Sequence, residues 1–117
     1  RDHDDHRRSL AAGRRQRNPP DAPQSICDAL LAPIPGELTF AINQPRLRGG
    51  LVVSDDEVRH AMAFAARTLK LVVEPGGAVA LACVLAGRLE TRGRTVALTV
   101  SGGNVDDTLL ADILGGA

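Results

Sequence analysis

Leu71-Val72-Val73-Glu74-Pro75-Gly76-Gly77-Ala78-Val79-Ala80 is the stretch whose reading decides the fold. A short run of large apolar and β-branched residues is stopped by Glu-Pro-Gly-Gly and gives way to an almost uniformly apolar, small-residue segment over 78–89. The first part reads as a buried strand and the last as a helix covered on several sides, with neighbours approaching closely. Just upstream, Ser54 and Glu57 have the spacing of a capping box, and Asp55 and Asp56 suit the first turn of a helix dipole. Val58, Met62, Ala65 and Leu69 then recur at helical spacing, which predicts a helix over about 55–69 with Met62 as core packing. Leu51-Val52-Val53 before it reads as another buried strand. Downstream, Gly93 ends the apolar helix, and 95–100 reads as a third buried strand. Ser101-Gly102-Gly103-Asn104 then turns into a last helix begun by Asp106 and Asp107. Strand, helix, strand, helix, strand, glycine turn, helix is the rhythm of an α/β layer.

Upstream of position 50 the pattern is weaker. Residues 4–17 are charged, with Leu10, Ala11 and Ala12 as the few apolar positions, and read as a short surface helix followed by the breaker cluster 18–23. Ser25 can cap a brief turn over Ile26, Ala29 and Leu30. Pro35 can open a helical segment over 36–44, with Leu38 and Ile42 on one face. The expected division is therefore 1–24 as charged lead-in and loop, and 25–117 as the main α/β part.

Composition narrows the functional classes. The 117 residues carry 14 Lys+Arg against 14 Asp+Glu, so no whole-molecule attraction to nucleic acid or to an anionic membrane is implied. Aromatic residues make up 2%, with no Trp or Tyr, which leaves no platform for stacking single-stranded bases. The longest apolar stretch, 78–86, is less than half of a bilayer crossing. Cys27 and Cys83 lie in apolar contexts without CxxC spacing and read as buried thiols of a reducing, cytoplasmic protein. The opening Arg-Asp-His-Asp-Asp-His-Arg-Arg lacks the apolar core of a secretory signal, and a first residue other than Met suggests a piece of something longer.

Three groups could carry chemistry. Ser101-Gly102-Gly103-Asn104 stands where open α/β sheets place ligands, at the carboxyl end of a strand, although taken alone it reads more readily as a plain structural turn. It matches neither a P-loop nor GxGxxG. Glu74, directly after a strand, needs either a polar partner or the role of capping the next helix. His3, Asp4, Asp5 and His6 are dense in metal-ligating types, yet zinc would need a second ligand pair that the spacing lacks, and a solvated terminus explains the run. No Ser-His-Asp or Cys-His constellation is evident.

Taken together, residues 8–13, 25–31, 52–58, 71–80 and 101–106 resemble the carboxyl-terminal third of the serine/threonine dehydratase and serine racemase family. These are pyridoxal-phosphate enzymes of fold type II. The resemblance spans nearly the whole chain in the family's order and spacing, and its most specific part is the pairing of Glu-Pro with Ser-Gly-Gly-Asn. It implies a partial three-layer α/β sandwich, the carboxyl-terminal portion of a large domain like that of the tryptophan synthase β chain. It also implies that Ser101 hydrogen-bonds the pyridine nitrogen of pyridoxal 5'-phosphate. Glu74 would stand at the edge of that pocket, and Gly102, Gly103 and Asn104 would close around the ring. Family members further bind Mg²⁺ or Ca²⁺ through a glutamate, a backbone carbonyl and an Asp, which implies the carbonyl of His3 and the carboxylate of Asp5; the glutamate would lie just before Arg1.

The family's imine-forming lysine and its phosphate-binding glycine loop would lie upstream of this stretch. Lys70 is the single lysine here, in a different context, and reads as a cation at a helix C-terminus. The expectation is a share of an ammonia-lyase that converts L-threonine or L-serine to a 2-oxo acid and ammonia. Its partners would be the amino-acid substrate and the upstream part of the enzyme, with a homo-oligomer when intact and neither nucleic acid nor membrane. No catalytic residue falls within the chain, so the chain alone should be inactive. A non-catalytic module that kept the scaffold and a serine racemase are the competing readings.

Overall fold

The structure is a computed structural model in which residues 4–22 and 24–116 are described. They divide into two compact units, 1–25 with 29–52 and 26–28 with 53–117.

The first unit is held by polar bonds as much as by apolar packing. Helix α1 (Asp5–Ala12) begins with two carboxylates. Asp4 bonds Arg7 at 2.5 Å and Arg8 at 2.6 Å. Burial works against the charged form of Asp4, but the hydrogen bonds and charges of Arg8 and Arg7 outweigh it and hold the carboxyl below its ordinary value. Asn18, buried in the breaker cluster, donates through Nδ2 to Asp5 Oδ1 (3.1 Å) and to the Ala32 carbonyl (3.3 Å), and accepts from Arg8 Nη2 (2.9 Å). The fully buried Ser9 hydroxyl accepts the Gln16 amide at 2.7 Å. Loop and helix are thus tied by side chains that satisfy buried backbone groups, as buried polar atoms require. Helix α2 (Glu37–Asn43) follows a 3₁₀ turn (Asp28–Leu30). It buries Phe40, whose ring meets His6 edge-on at 6.5 Å, while Leu38 is 73% exposed and Ile42 is also exposed. The face expected from Leu38 and Ile42 is therefore turned outward, because a single large ring on the opposite side removes more apolar surface from water.

The second unit carries the apolar core. Helix α3 (Asp55–Phe64) opens on the expected capping box. The Ser54 amide donates to Glu57 Oε2 at 2.7 Å, and the Glu57 amide donates to Ser54 Oγ at 3.2 Å. Val58, Ala61, Met62 and Ala65 face inward, as their spacing requires, but Leu69 is exposed. The cause is a π turn (Ala65–Leu69) that continues α3, with the Leu71 amide reaching back to the Ala65 carbonyl. The extra residue in the wide turn rotates Leu69 out of register. Lys70 then adopts a left-handed conformation (φ 60°), and its Nζ donates to the Arg67 carbonyl at 2.7 Å, at the helix end.

Helix α4 (Pro75–Leu85) starts three residues before the expected 78, because Pro75 is preorganised for the first helical position. It ends before the expected 89. Gly87 (φ 67°) takes the left-handed position, and the Arg88 amide donates to the Cys83 carbonyl, a Schellman-type stop. Helix α5 (Asp107–Gly115) is capped by Asp106 Oδ1, which accepts the Leu109 amide at 2.9 Å. The core is one cluster in which Val58, Met62 and Ala65 pack with Ala78, Leu81, Ala82, Val73, Ile113 and Cys27. Alanines at the α3–α4 contact let the two helix backbones approach closely. Neither Cys27 nor Cys83 is in a disulfide and both are buried, and burial, with the Glu57 charge, raises the Cys83 thiol above its ordinary value despite Arg88.

The three segments read as buried strands form no ladder among the described residues. Leu51, Leu71, Val72, Val96 and Leu98 are exposed, and of 71–73 only Val73 is buried. A strand is buried only when neighbouring strands pair with it and helices cover both faces, and no described strand lies alongside these segments.

Candidate functional site

Two turns that lie far apart in sequence meet at the start of α4. The Glu74 amide donates to the Ser101 carbonyl at 3.1 Å, which brings the ends of segments 71–73 and 95–100 side by side. Two glycines make the approach close. A Cβ on Gly77, in the first turn of α4, would overlap the Ser101 carbonyl oxygen and lie 2.8 Å from Ser101 Oγ. A Cβ on Gly102 would run into the Glu74 side chain, and Gly102 has φ +81°, which an L side chain rarely adopts. The serine turn therefore rests on the amino-terminal turn of α4, and the Glu74 side chain lies against Gly102.

Of the residues singled out in sequence, the structure brings Glu74, Ser101 and Gly102 into direct contact. Gly103 is more open, since a Cβ added there would meet only the Val72 carbonyl, at 4.0 Å, and Asn104 is exposed on the way into α5. Gly77 belongs to the same contact. Its role was visible only as the general demand of a small-residue helix for close neighbours, because the residue it touches is 24 positions away.

The side chains at this junction are uncommitted. Glu74 occupies the N-cap position of α4, but its carboxylate makes no capping hydrogen bond, so the capping role is not the one it takes. Among the described residues no hydrogen bond engages the Glu74 carboxylate or the Ser101 hydroxyl. Proline at the first helical position has no N–H, and the following amides of the first turn lack intrahelical acceptors. The junction thus brings together a neutral hydroxyl, a half-buried carboxylate and free backbone donors where two glycines let the turns touch. That set suits a planar, polar heteroaromatic ring better than a metal ion.

The acidic group at the amino terminus is arranged differently. Asp5 is buried and one of its oxygens is bound to Asn18, while Asp4 is occupied by two arginines. His3 lies outside the described residues. Among the described residues no three His, Cys, Asp or Glu side chains converge as metal ligands, and no helix is long and apolar enough to cross a membrane.

Comparison with known proteins gives this geometry its context. The chain is 35% identical over 113 residues to the serine racemase of Dictyostelium discoideum, covering 95% of this chain and 35% of that protein. It is 32% identical over 106 residues to the L-threonine ammonia-lyase of Thermotoga maritima, covering 91% of this chain and 26% of the relative. Among solved structures, a T.th. threonine deaminase superposes with a TM-score of 0.79 at 40% identity, over 89% of this chain and 34% of that one. The chain thus spans about a third of the length of the relatives it matches. Its fold is that of fold type II enzymes, the α/β class expected from sequence, present here as a part. Residues 2–102 match the family described as pyridoxal-phosphate dependent enzyme, and the chain belongs to that family.

Proposed function

We propose that the chain is the carboxyl-terminal portion of the large domain of a cytoplasmic ammonia-lyase that dehydrates L-threonine or L-serine to a 2-oxo acid and ammonia. The observation that carries this reading is the Glu74–Ser101 junction, where glycines bring an unengaged hydroxyl and an unengaged carboxylate side by side. The Ser101 hydroxyl would hold the pyridine nitrogen of pyridoxal phosphate, with Glu74 at the pocket edge and Gly102, Gly103 and Asn104 against the ring. When bound, the cofactor supplies an electron sink for the charge left at the substrate Cα as its proton departs. A hydroxyl is a neutral partner, so it orients the ring without holding the nitrogen protonated as a carboxylate would. That tempers the sink and favours loss of the β-hydroxyl. Gly77 and Gly102 fix the hydroxyl in place by leaving no slack between the two turns.

The lysine and phosphate loop of the site would come from the rest of the enzyme, which would be a homo-oligomer, so the 117-residue chain alone is expected to be inactive. A divalent cation held by Asp5 and the His3 carbonyl belongs to the same proposal. Asp5 is the only described donor of that set, and no step of the reaction is assigned to the metal.

Likeness to a serine racemase over 95% of the chain favours racemisation as the second reading. One experiment separates these. Residues 1–117 replace the matched third of the Dictyostelium serine racemase, and the chimera is given L-threonine or L-serine. Measured against the parent racemase, whose other two thirds the chimera keeps, a product ratio shifted toward 2-oxobutanoate and pyruvate supports the lyase reading, an unshifted ratio supports the racemase, and a chimera that folds without binding cofactor refutes both. 2-Oxobutanoate made by the isolated chain with added cofactor would refute its inactivity.

A further inference from the structure

The second unit contains a cavity of about 510 Å³ between α3 and α5, separate from the residues of the Glu74–Ser101 junction. Its walls carry Arg59 and Arg67 from α3 and its π turn, and Asp112 from α5; its floor is Ala63, Phe64 and Ile113. Eight residues along an ideal α-helix would carry Arg67 about 80° round from Arg59. The π turn over 65–69 winds more slowly and keeps both guanidiniums on one stripe, which is a use to which such turns are often put. Arg67 Nη2 donates to the Leu114 carbonyl at 2.6 Å, which fixes that guanidinium at the wall and leaves its other donors free. Among the described residues, no hydrogen bond or ion pair engages the side chain of Arg59 or of Asp112.

We infer that this cavity is a binding site for a small monocarboxylate with a short branched hydrocarbon tail. Guanidiniums match a carboxylate fork, and here two of them face the same space. The buried Ala63 and Ile113, with the partly buried Phe64, offer the tail an apolar floor. Two guanidiniums against the Asp112 carboxylate, with His60 also in the lining, leave a net positive charge that draws an anion, and the apolar floor favours one that carries a hydrocarbon tail over inorganic phosphate. The volume lies in the usual range for small-molecule sites. This site does not depend on the proposed lyase activity, and its test does not involve that activity.

The test is amide chemical-shift titration of the ¹⁵N-labelled chain with 3-methylbutanoate, with inorganic phosphate as the comparison anion. Saturable shifts confined to 59–68 and 112–116 are expected for 3-methylbutanoate, with phosphate about tenfold or more weaker because it leaves the apolar floor uncovered. Arg59→Gln should weaken the response about tenfold, the loss of one charge-assisted bond. Asp112→Asn should act in the opposite direction, tightening both anions, because it removes the carboxylate of the lining. Shifts that never saturate, that map elsewhere, or that are indifferent to both substitutions would overturn the site. A spectrum without dispersed α3 amides would overturn the cavity itself.

Discussion

Replacing Gly77 by Ala tests the junction through its tightest contact. Gly77 is buried in the first turn of α4, and an added Cβ would collide with the Ser101 carbonyl oxygen and stand 2.8 Å from both the Ser101 carbonyl carbon and Oγ. These are mostly backbone atoms, held by the Glu74–Ser101 hydrogen bond, so they cannot swing aside as the end of a long side chain would. Forcing a methyl group into filled space costs about 1–3 kcal/mol. The higher helix propensity of alanine offsets no more than about 1 kcal/mol of that. A net loss of about 1–2 kcal/mol is therefore expected, read as a lower urea midpoint by circular dichroism at an unchanged slope. Gly103→Ala is the matched control, since its Cβ would meet nothing nearer than the Val72 carbonyl at 4.0 Å and its backbone is not left-handed. It should be neutral within about 0.5 kcal/mol. Equal losses for the two variants, or none for Gly77→Ala, would refute the close approach of the turns.

Other perturbations follow from the core and the caps. Met62→Ala empties a fully buried position and should cost about 2–5 kcal/mol in the same assay, a large share of the stability of a small domain. Ser54→Ala removes the acceptor of the Glu57 amide and should cost about 1 kcal/mol, while Ser54→Asp should retain most of the cap. Acid should destabilise the chain in a defined direction. The backbone amide of Ser54 and the Arg88 guanidinium (2.7 Å) lower the Glu57 carboxyl below its ordinary value, as Arg8 and Arg7 do for Asp4. A depressed folded-state value means that the contribution is complete above the unfolded carboxylate range and disappears as pH falls through the folded value. Urea midpoints measured down an acid series should decline there, and Glu57→Gln should flatten the decline.

The legibility of this fold from sequence tracks how local each cause is. The Ser54–Glu57 box, the Asp106 cap and the inward face of Val58 and Met62 are set within a turn or two, and the structure has them where the spacing puts them. The π turn is not local in that sense. Nothing in Ala-Ala-Arg-Thr-Leu announces it, and it carries Leu69 out of the core. Helix α2 exposes the apolar pair that its spacing favours, because burial of Phe40 is decided by what it packs against. The segments around Leu71 and Leu98 have strand composition, yet pairing is a property of neighbours, and they stay unpaired among the described residues. At the junction, Glu74 and Ser101 were each conspicuous at the end of an apolar run. Family likeness implied only that both stand at one pocket, and their direct contact was not legible, since nothing in the intervening 26 residues fixes it.

The most direct test of the cofactor site is the affinity of the chimera for pyridoxal phosphate, compared between Ser101 and Ser101→Ala by equilibrium dialysis. Loss of the one hydroxyl that would meet the ring nitrogen should weaken binding about tenfold, the worth of a single hydrogen bond. Gly49→Ala, tested beside it, should bind within about threefold of the parent, because its added methyl meets nothing within 4 Å and the residue lies outside the junction. An affinity unchanged by Ser101→Ala, in a chimera that still holds the cofactor, would contradict the placement of the ring on the Glu74–Ser101 junction.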